Sequence, residues 1–254
     1  MSLFETQIPL VGDPSRVHLL ERVMALSHTG TKLLDAACGT CSLWKPLLGQ
    51  YEFELWGVDI DEERVRIARE AVKDEVRIKV GDVHNLSRVF PISFFDIVVS
   101  TQVFYRIRNL KRVLQEINLI LKPGGKLLFT TELARPHGLL LPYLRYKLAQ
   151  YSKKLLGKSS IYIKRRDEKE LSTLLIETGY EVEEVGFYHI PPLKFIRDRI
   201  ISNENKNKVM RKWLELEEEL LRDTNFLAQA KVYCRNLFIE ATKRHIKGEN
   251  SHTV

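Results

Sequence analysis

Between residues 32 and 132 this chain alternates, five times over, a short apolar run with an amphipathic stretch, and few folds accommodate that rhythm. The runs are 32–37 (KLLDAA), 53–60 (FELWGVDI), 76–80 (VRIKV), 95–100 (FDIVVS) and 126–132 (KLLFTTE), each of strand length. Several are continuous in Val, Ile and Leu, as in strands covered on both faces. Helices are expected between them. Residues 61–74 place Val65, Ala68 and Val72 on one face, and 109–122 read as an amphipathic helix stopped by Pro123-Gly124-Gly125. A short helix is expected over 84–90 and another over 42–50, although Pro46 conflicts with the latter because it lacks an amide donor. Right-handed crossovers then put helices on both sides of a parallel sheet.

A leading helix is expected over 15–27, with Val17, Leu20, Val23 and Met24 at helical spacing. After 132 the rhythm changes. Residues 133–166 read as a basic insertion with a helix over 136–156, followed by helices over 168–179 and 208–221 and strands over 180–188 and 236–243. No repeat or linker divides the 254 residues, which predicts one domain.

The chain carries a net charge of +7, and its basicity is local: 135–166 hold nine Lys/Arg and no acid, leaving the remainder slightly acidic. The opening residues lack the charged head and apolar run of a signal peptide, and no run approaches the ~20 apolar residues of a membrane span. Three cysteines, Cys38, Cys41 and Cys234, are too few for a disulfide framework. A cytoplasmic protein is expected.

In open parallel sheets, ligands bind beyond the carboxyl ends of the strands where strand order reverses. Here successive strand ends carry residues suited to one ligand. The first ends Asp35-Ala36-Ala37-Cys38-Gly39-Thr40-Cys41, whose small residues allow a tight turn and close approach. The second ends Gly57-Val58-Asp59-Ile60, with a carboxylate placed to take both ribose hydroxyls of an adenosine. The third ends Gly81-Asp82-Val83, where an aspartate can accept from an adenine amine, and the fourth Ser100-Thr101-Gln102.

The series LLDAACGT, GVDI, VGDV, FDIVVS and LKPGGKLLF resembles the class I S-adenosylmethionine (SAM)-dependent methyltransferases, especially their quinone- and sterol-methylating branch. The resemblance covers roughly residues 15–190. It implies an α/β Rossmann-like doubly wound sheet of seven strands, mostly parallel, with a final antiparallel strand. It implies that Asp35 and the turn Ala36, Ala37, Cys38, Gly39 and Thr40 hold the methionine part of SAM, and that Asp59, beside Ile60, holds the ribose. Asp82 and Val83 would then hold the adenine, Gln102 would lie beside the cofactor near the methyl group, and Thr101 is a further cofactor-binding residue. Ala37 and Cys41 stand where the family has glycine. S-adenosylhomocysteine would be the product, and no metal is implied.

Other readings stay beside this one. Cys38-Gly-Thr-Cys41 is a CxxC at a strand-to-helix turn, as in redox proteins, but no Trp precedes it; zinc would need a paired His or Cys that is missing. Asp59 is a candidate helix cap, although Asp61 is the better one, and Asp82 a turn residue. His84 and Tyr105 are candidate catalytic residues, with Arg106 a candidate acceptor contact; a surface histidine is the plainer reading of His84. The acceptor pocket is expected from 15–27, 102–106 and 133–165. The basic segment 135–166 reads as a solvated lid, as a lid resting on the inner face of a membrane to admit a lipid-like acceptor, or as a nucleic-acid surface, its Leu and Tyr content disfavouring the last. A small-molecule or lipid-like acceptor, quinone or polyprenyl in type, fits these features; an RNA or protein methyltransferase and a non-catalytic SAM-binding protein are the alternatives.

Overall fold

The computed structural model describes residues 13–134, 162–190 and 206–244. Asp13 caps the first helix, accepting from the Ser15 backbone N–H at 3.0 Å, and Pro14 starts it where no donor is needed. This helix, α1 (Pro14–Leu26), leads into β1 (Lys32–Ala36), β2 (Glu54–Asp59), α2 (Glu62–Val72) and β3 (Val76–Val80). A 3-10 segment (Val83–Arg88), β4 (Phe95–Thr101), a 3-10 turn (Phe104–Arg106), α3 (Leu110–Ile120) and β5 (Leu121–Glu132) follow. Then come α4 (Glu168–Glu177), β6 (Tyr180–Tyr188), α5 (Lys206–Arg222), α6 (Thr224–Ala230) and β7 (Asn236–Lys243).

The strands form one seven-stranded sheet in the order β3-β2-β1-β4-β5-β7-β6. The first five are parallel, and β7 runs antiparallel between β5 and β6. Period-two alternation sends successive side chains to opposite cores. Leu33, Ile97, Val99 and Leu128 join a cluster with α1 and α2, while Leu34, Val98, Leu127 and Phe129 join one with α3 and α4. The expected doubly wound sheet, mostly parallel with a final antiparallel strand, is the one observed.

Three local differences have physical causes. Residues 42–50 form only the 3-10 turn Lys45–Leu47 and not an α-helix; Pro46 lacks the amide donor and its ring crowds the preceding turn, which disfavours a longer α-helix there. The segment over 84–90 is also 3-10, interrupted at Asn85. β5 begins at Leu121, before Pro123-Gly124-Gly125, and its pairing with β4 shifts between Phe95 and Ile97. Gly125 permits this: a Cβ there would lie 2.9 Å from the Lys122 carbonyl oxygen.

Most of the basic insertion, 135–161, lies outside the described residues, as does the helix expected at 136–156. Its end is built into the fold: Arg165 Nε donates to Glu132 at 2.6 Å, Lys164 pairs with Glu170 at 2.7 Å, and the buried Arg166 donates to the Phe104 carbonyl at 3.2 Å. Those three cations are therefore structural. No described helix is long and apolar enough to cross a membrane.

Glu240, in β7, is fully buried, and its carboxylate accepts from Arg22 Nε at 2.8 Å and Nη2 at 3.1 Å, with Lys126 Nζ at 3.5 Å. Arg22→Ala would strand that carboxylate with the lysine alone. A loss of about 2–3 kcal/mol in urea unfolding is expected, less than for a wholly buried pair because Arg22 is 35% exposed. An unchanged unfolding midpoint would show that Lys126 alone neutralises Glu240.

Candidate active site

The strand order reverses between β1 and β4, and at the carboxyl ends of β1–β4 the chain leaves a cavity of about 860 Å³. Its walls come from four successive strand ends: Ala37–Thr40 after β1, Asp59 and Ile60 after β2, Asp82–His84 after β3, and Thr101 and Gln102 after β4. The segment Val103–Asn109, including Tyr105 and Arg106, closes one side, and Arg16 of α1 another. Of the residues expected from sequence, Asp35 and Ala36 do not line the cavity. Both are buried; Ala36 packs into the α3–α4 core, and Asp35 lies behind the turn.

The turn after β1 is wound through left-handed backbone, with φ of 64° at Ala37, 56° at Gly39 and 55° at Cys41. For alanine and cysteine that conformation costs about 1–2 kcal/mol each. The surroundings hold it in place. Cys38 N–H donates to the Val58 carbonyl at 3.0 Å, Gly39 N–H to Asp59 Oδ2 at 2.8 Å and Cys41 N–H to the Cys38 carbonyl at 3.0 Å. Gly57 gives the turn its room, since a Cβ there would meet Cys38 Sγ at 2.9 Å.

Asp35 sits between Gly57 and Val99 in the sheet. Its Oδ2 accepts from the indole Nε1 of the fully buried Trp44 at 2.8 Å, and its Oδ1, also buried, has no partner. Burial pushes its pKa up to about 7, against the opposing hydrogen bond from Trp44 and the charge of Arg16. Sequence reasoning misses Trp44. The available signal is its indole N–H, which must find an acceptor once buried.

Asp59 is 6% exposed, and both its oxygens already hold backbone: Oδ2 takes Gly39 N–H, and Oδ1 takes Asp61 N–H at 3.0 Å. Asp61 is the cap of α2, accepting from Arg64 N–H at 3.1 Å, which leaves Asp59 to clamp two strand-end turns facing the cavity. Asp82 caps the 3-10 segment and also accepts from His84, through the backbone N–H at 2.9 Å and to ring Nδ1 at 2.7 Å. Burial alone would raise the Asp82 pKa, but those hydrogen bonds hold it below the usual carboxylate range. His84 is thus a ring oriented by a carboxylate at the cavity wall.

Gln102 adopts φ 58° and donates its backbone N–H to the Thr130 carbonyl at 2.8 Å. Tyr105 is buried, with its hydroxyl accepting from Arg106 Nε at 3.1 Å. Of the leading helix, only Arg16 reaches the wall among the described residues; Leu19, Leu20 and Val23 of α1 pack into the core. The neighbouring Cys41 thiol and burial push Cys38 well above the usual thiol range, the reverse of an activated redox cysteine, and no disulfide joins the two.

Residues 34–129 match a family model described as a methyltransferase domain, the family that the strand-end motifs resemble. The chain is 36% identical over 108 residues to the ubiquinone/menaquinone biosynthesis C-methyltransferase of Laribacter hongkongensis, covering 39% of this chain and 42% of that protein. It is 28% identical over 162 residues to a demethylmenaquinone methyltransferase of Tropheryma whipplei, covering 62% of this chain and 64% of that one. The first-named match thus spans about two fifths of the relative's length. The fold is similar to that of the phosphoethanolamine N-methyltransferase 2 of Haemonchus contortus, solved with S-adenosyl-L-methionine: TM-score 0.62, 22% identity, 91% of this chain and 52% of that one.

Proposed function

We propose that this chain, whose residues 34–129 match the methyltransferase domain, is an enzyme that moves a methyl group from SAM to a small-molecule or lipid-like acceptor of quinone or polyprenyl type. One observation carries the reading: four successive strand ends meet at one cavity, with Asp59 and Asp82 on its wall and an orphaned, buried Asp35 oxygen behind it. Those groups match the donors of an adenosine and an amino acid. Asp59 takes the ribose hydroxyls, and Asp82 with Val83 takes the adenine edge. The Ala37–Thr40 turn lies against the methionine portion, and Thr101 and Gln102 flank the reacting centre.

SAM supplies a methyl group on a sulfonium, already a good leaving group, so positioning and exclusion of water can carry much of the rate. The Val103–Asn109 segment forms the acceptor side. Where the acceptor must lose a proton, the Asp82-oriented ring of His84 on the cavity wall is the imidazole placed to take it. The quinone-type acceptor draws its support from the two relatives, and the cations of 135–158 are suited to bring the chain to an anionic membrane surface.

Calorimetric titration with SAM and with S-adenosylhomocysteine tests the reading. Micromolar binding of both is expected. No binding up to about 1 mM, weaker than about −4 kcal/mol, would overturn it. With binding in hand, methyl transfer from labelled SAM into a quinone-containing lipid extract tests the acceptor class.

A further inference from the structure

His18 and Glu21, three residues apart and so on one face of α1, meet Glu218 of α5. One ring nitrogen of His18 and one carboxylate oxygen of each glutamate lie within 4.8 Å of one another. Among the described residues no other three His, Cys, Asp or Glu side chains come together in this way. None of the three lines the cavity at the strand ends. Between them, against Pro14, Val17 and Tyr188, lies a separate void of about 20 Å³, room for one water-sized sphere.

The His18 ring is already held in place. It stacks on Tyr188 with centroids 5.2 Å apart, meets Phe238 edge-on at 4.7 Å, and sets Nε2 2.7 Å from Glu184 Oε1. A histidine that gives one N–H to a carboxylate presents the lone pair of its other nitrogen, the usual outer-shell arrangement at a metal ion. The two glutamates lack a comparable partner. Among the described residues Glu21 has no ion pair, and the exposed Arg222 takes only Oε1 of Glu218, at 2.5 Å. Burial and the facing charge of Glu218 raise the Glu21 pKa above the usual carboxylate range, against the charges of His18 and Arg222.

We propose that His18, Glu21 and Glu218 bind one Zn²⁺-like divalent cation that ties α5 to the leading helix. One imidazole and two carboxylates suit zinc, with bonds of ~2.0–2.2 Å, whereas Mg²⁺ and Ca²⁺ favour oxygen ligands alone. Small rotations of the glutamate side chains close the triangle onto such an ion, and its two charges balance the two carboxylates. Glu184 is a positioning residue, acting on the ion through His18.

Tag-free protein is titrated with Zn²⁺ against a chromophoric chelator, and folding is followed by circular dichroism and thermal melt. One equivalent is expected to bind with a Kd below about 10 μM and to raise Tm by about 3–5 °C at tenfold over Kd. His18→Gln, Glu21→Gln and Glu218→Gln should each bind at least about tenfold more weakly, and Glu184→Gln about tenfold, while Mg²⁺ leaves Tm unchanged. Should His18→Gln not fold, Glu218→Gln on the other helix carries the same comparison. Co²⁺ in place of Zn²⁺ separates this site from the Cys38–Cys41 pair, which alone would give thiolate-to-metal absorption in the near ultraviolet. The proposal is overturned by zinc binding weaker than about 10 μM, by binding that folded Glu218→Gln leaves unchanged, or by that thiolate band.

Discussion

Asp35→Asn is expected to make the ligand-free protein more stable at pH 8 and to remove a proton from its binding chemistry. The carboxyl ionises near 3.8 in an unfolded chain and near 7 in the fold, because burial disfavours the charge. Between those values the folded state keeps a proton that the unfolded state has released. Stability from this group is therefore complete below about pH 3.8, declines as pH rises and is lost above 7. The cost of holding the ionised form is at most about 4 kcal/mol. Asparagine avoids that cost and keeps an acceptor for Trp44, but its amide N–H₂ goes unpaired, which costs about 1–3 kcal/mol. A net gain of about 1–3 kcal/mol at pH 8, vanishing or reversing by pH 4, should appear in urea unfolding. Wild-type affinity for SAM should rise about tenfold from pH 6 to pH 8 as the carboxylate becomes available to an ammonium, and the variant should bind more weakly with a flatter profile. Parallel pH profiles for the two proteins would show that Asp35 does not titrate in this range.

Asp59 should behave differently from a simple ligand contact. A strand-end carboxylate that faces only a ligand could be replaced with little change in the melt. Here the carboxylate also holds Gly39 and Asp61 by their backbone amides, each such bond to a charged group being worth about 1.5–3 kcal/mol. Asp59→Ala is expected to weaken SAM at least tenfold and also to lower Tm by about 5–10 °C, consistent with a loss of about 2–3 kcal/mol in a chain of this length. Asp59→Asn, which can still accept at one oxygen, should fall between. Calorimetry and a thermal melt read the two effects separately, and normal SAM binding by a folded Asp59→Asn would remove the ribose assignment.

The residues differ in how openly the sequence declares them. The five parallel strands are legible because apolar runs between helical stretches permit few alternatives, and their ends locate the cavity once strand order is inferred. Asp59 and Asp61 can be sorted because capping has a fixed spacing from the helix start. The interior partnership of Trp44 with Asp35 is not legible, because it depends on a 3-10 turn that Pro46 imposes where helical periodicity suggests a helix. Arg16 is hidden for another reason. Its charge places it among ordinary surface cations, and only the packing of α1 reveals a buried donor without a partner. Charge alone misleads likewise at Lys164, Arg165 and Arg166, which read as part of a basic surface and instead bond Glu170, Glu132 and the Phe104 carbonyl.

The place of β7 has a consequence for how the molecule is made. A ribosome delivers β6 well before β7, yet β6 touches the sheet only through β7. While 189–235 are being synthesised, β5 presents a bare edge and β6 has no strand to join. The cavity-forming strands β1–β4 are by then all synthesised, but α1, which brings Arg16 to the cavity wall, still lacks the bond of its Asp13 cap to Asn236 of β7. The antiparallel insertion of 236–243 both seals the β5 edge, a template for pairing with other chains, and recruits the outermost strand. Loss of those eight residues would undo two strand pairings at once.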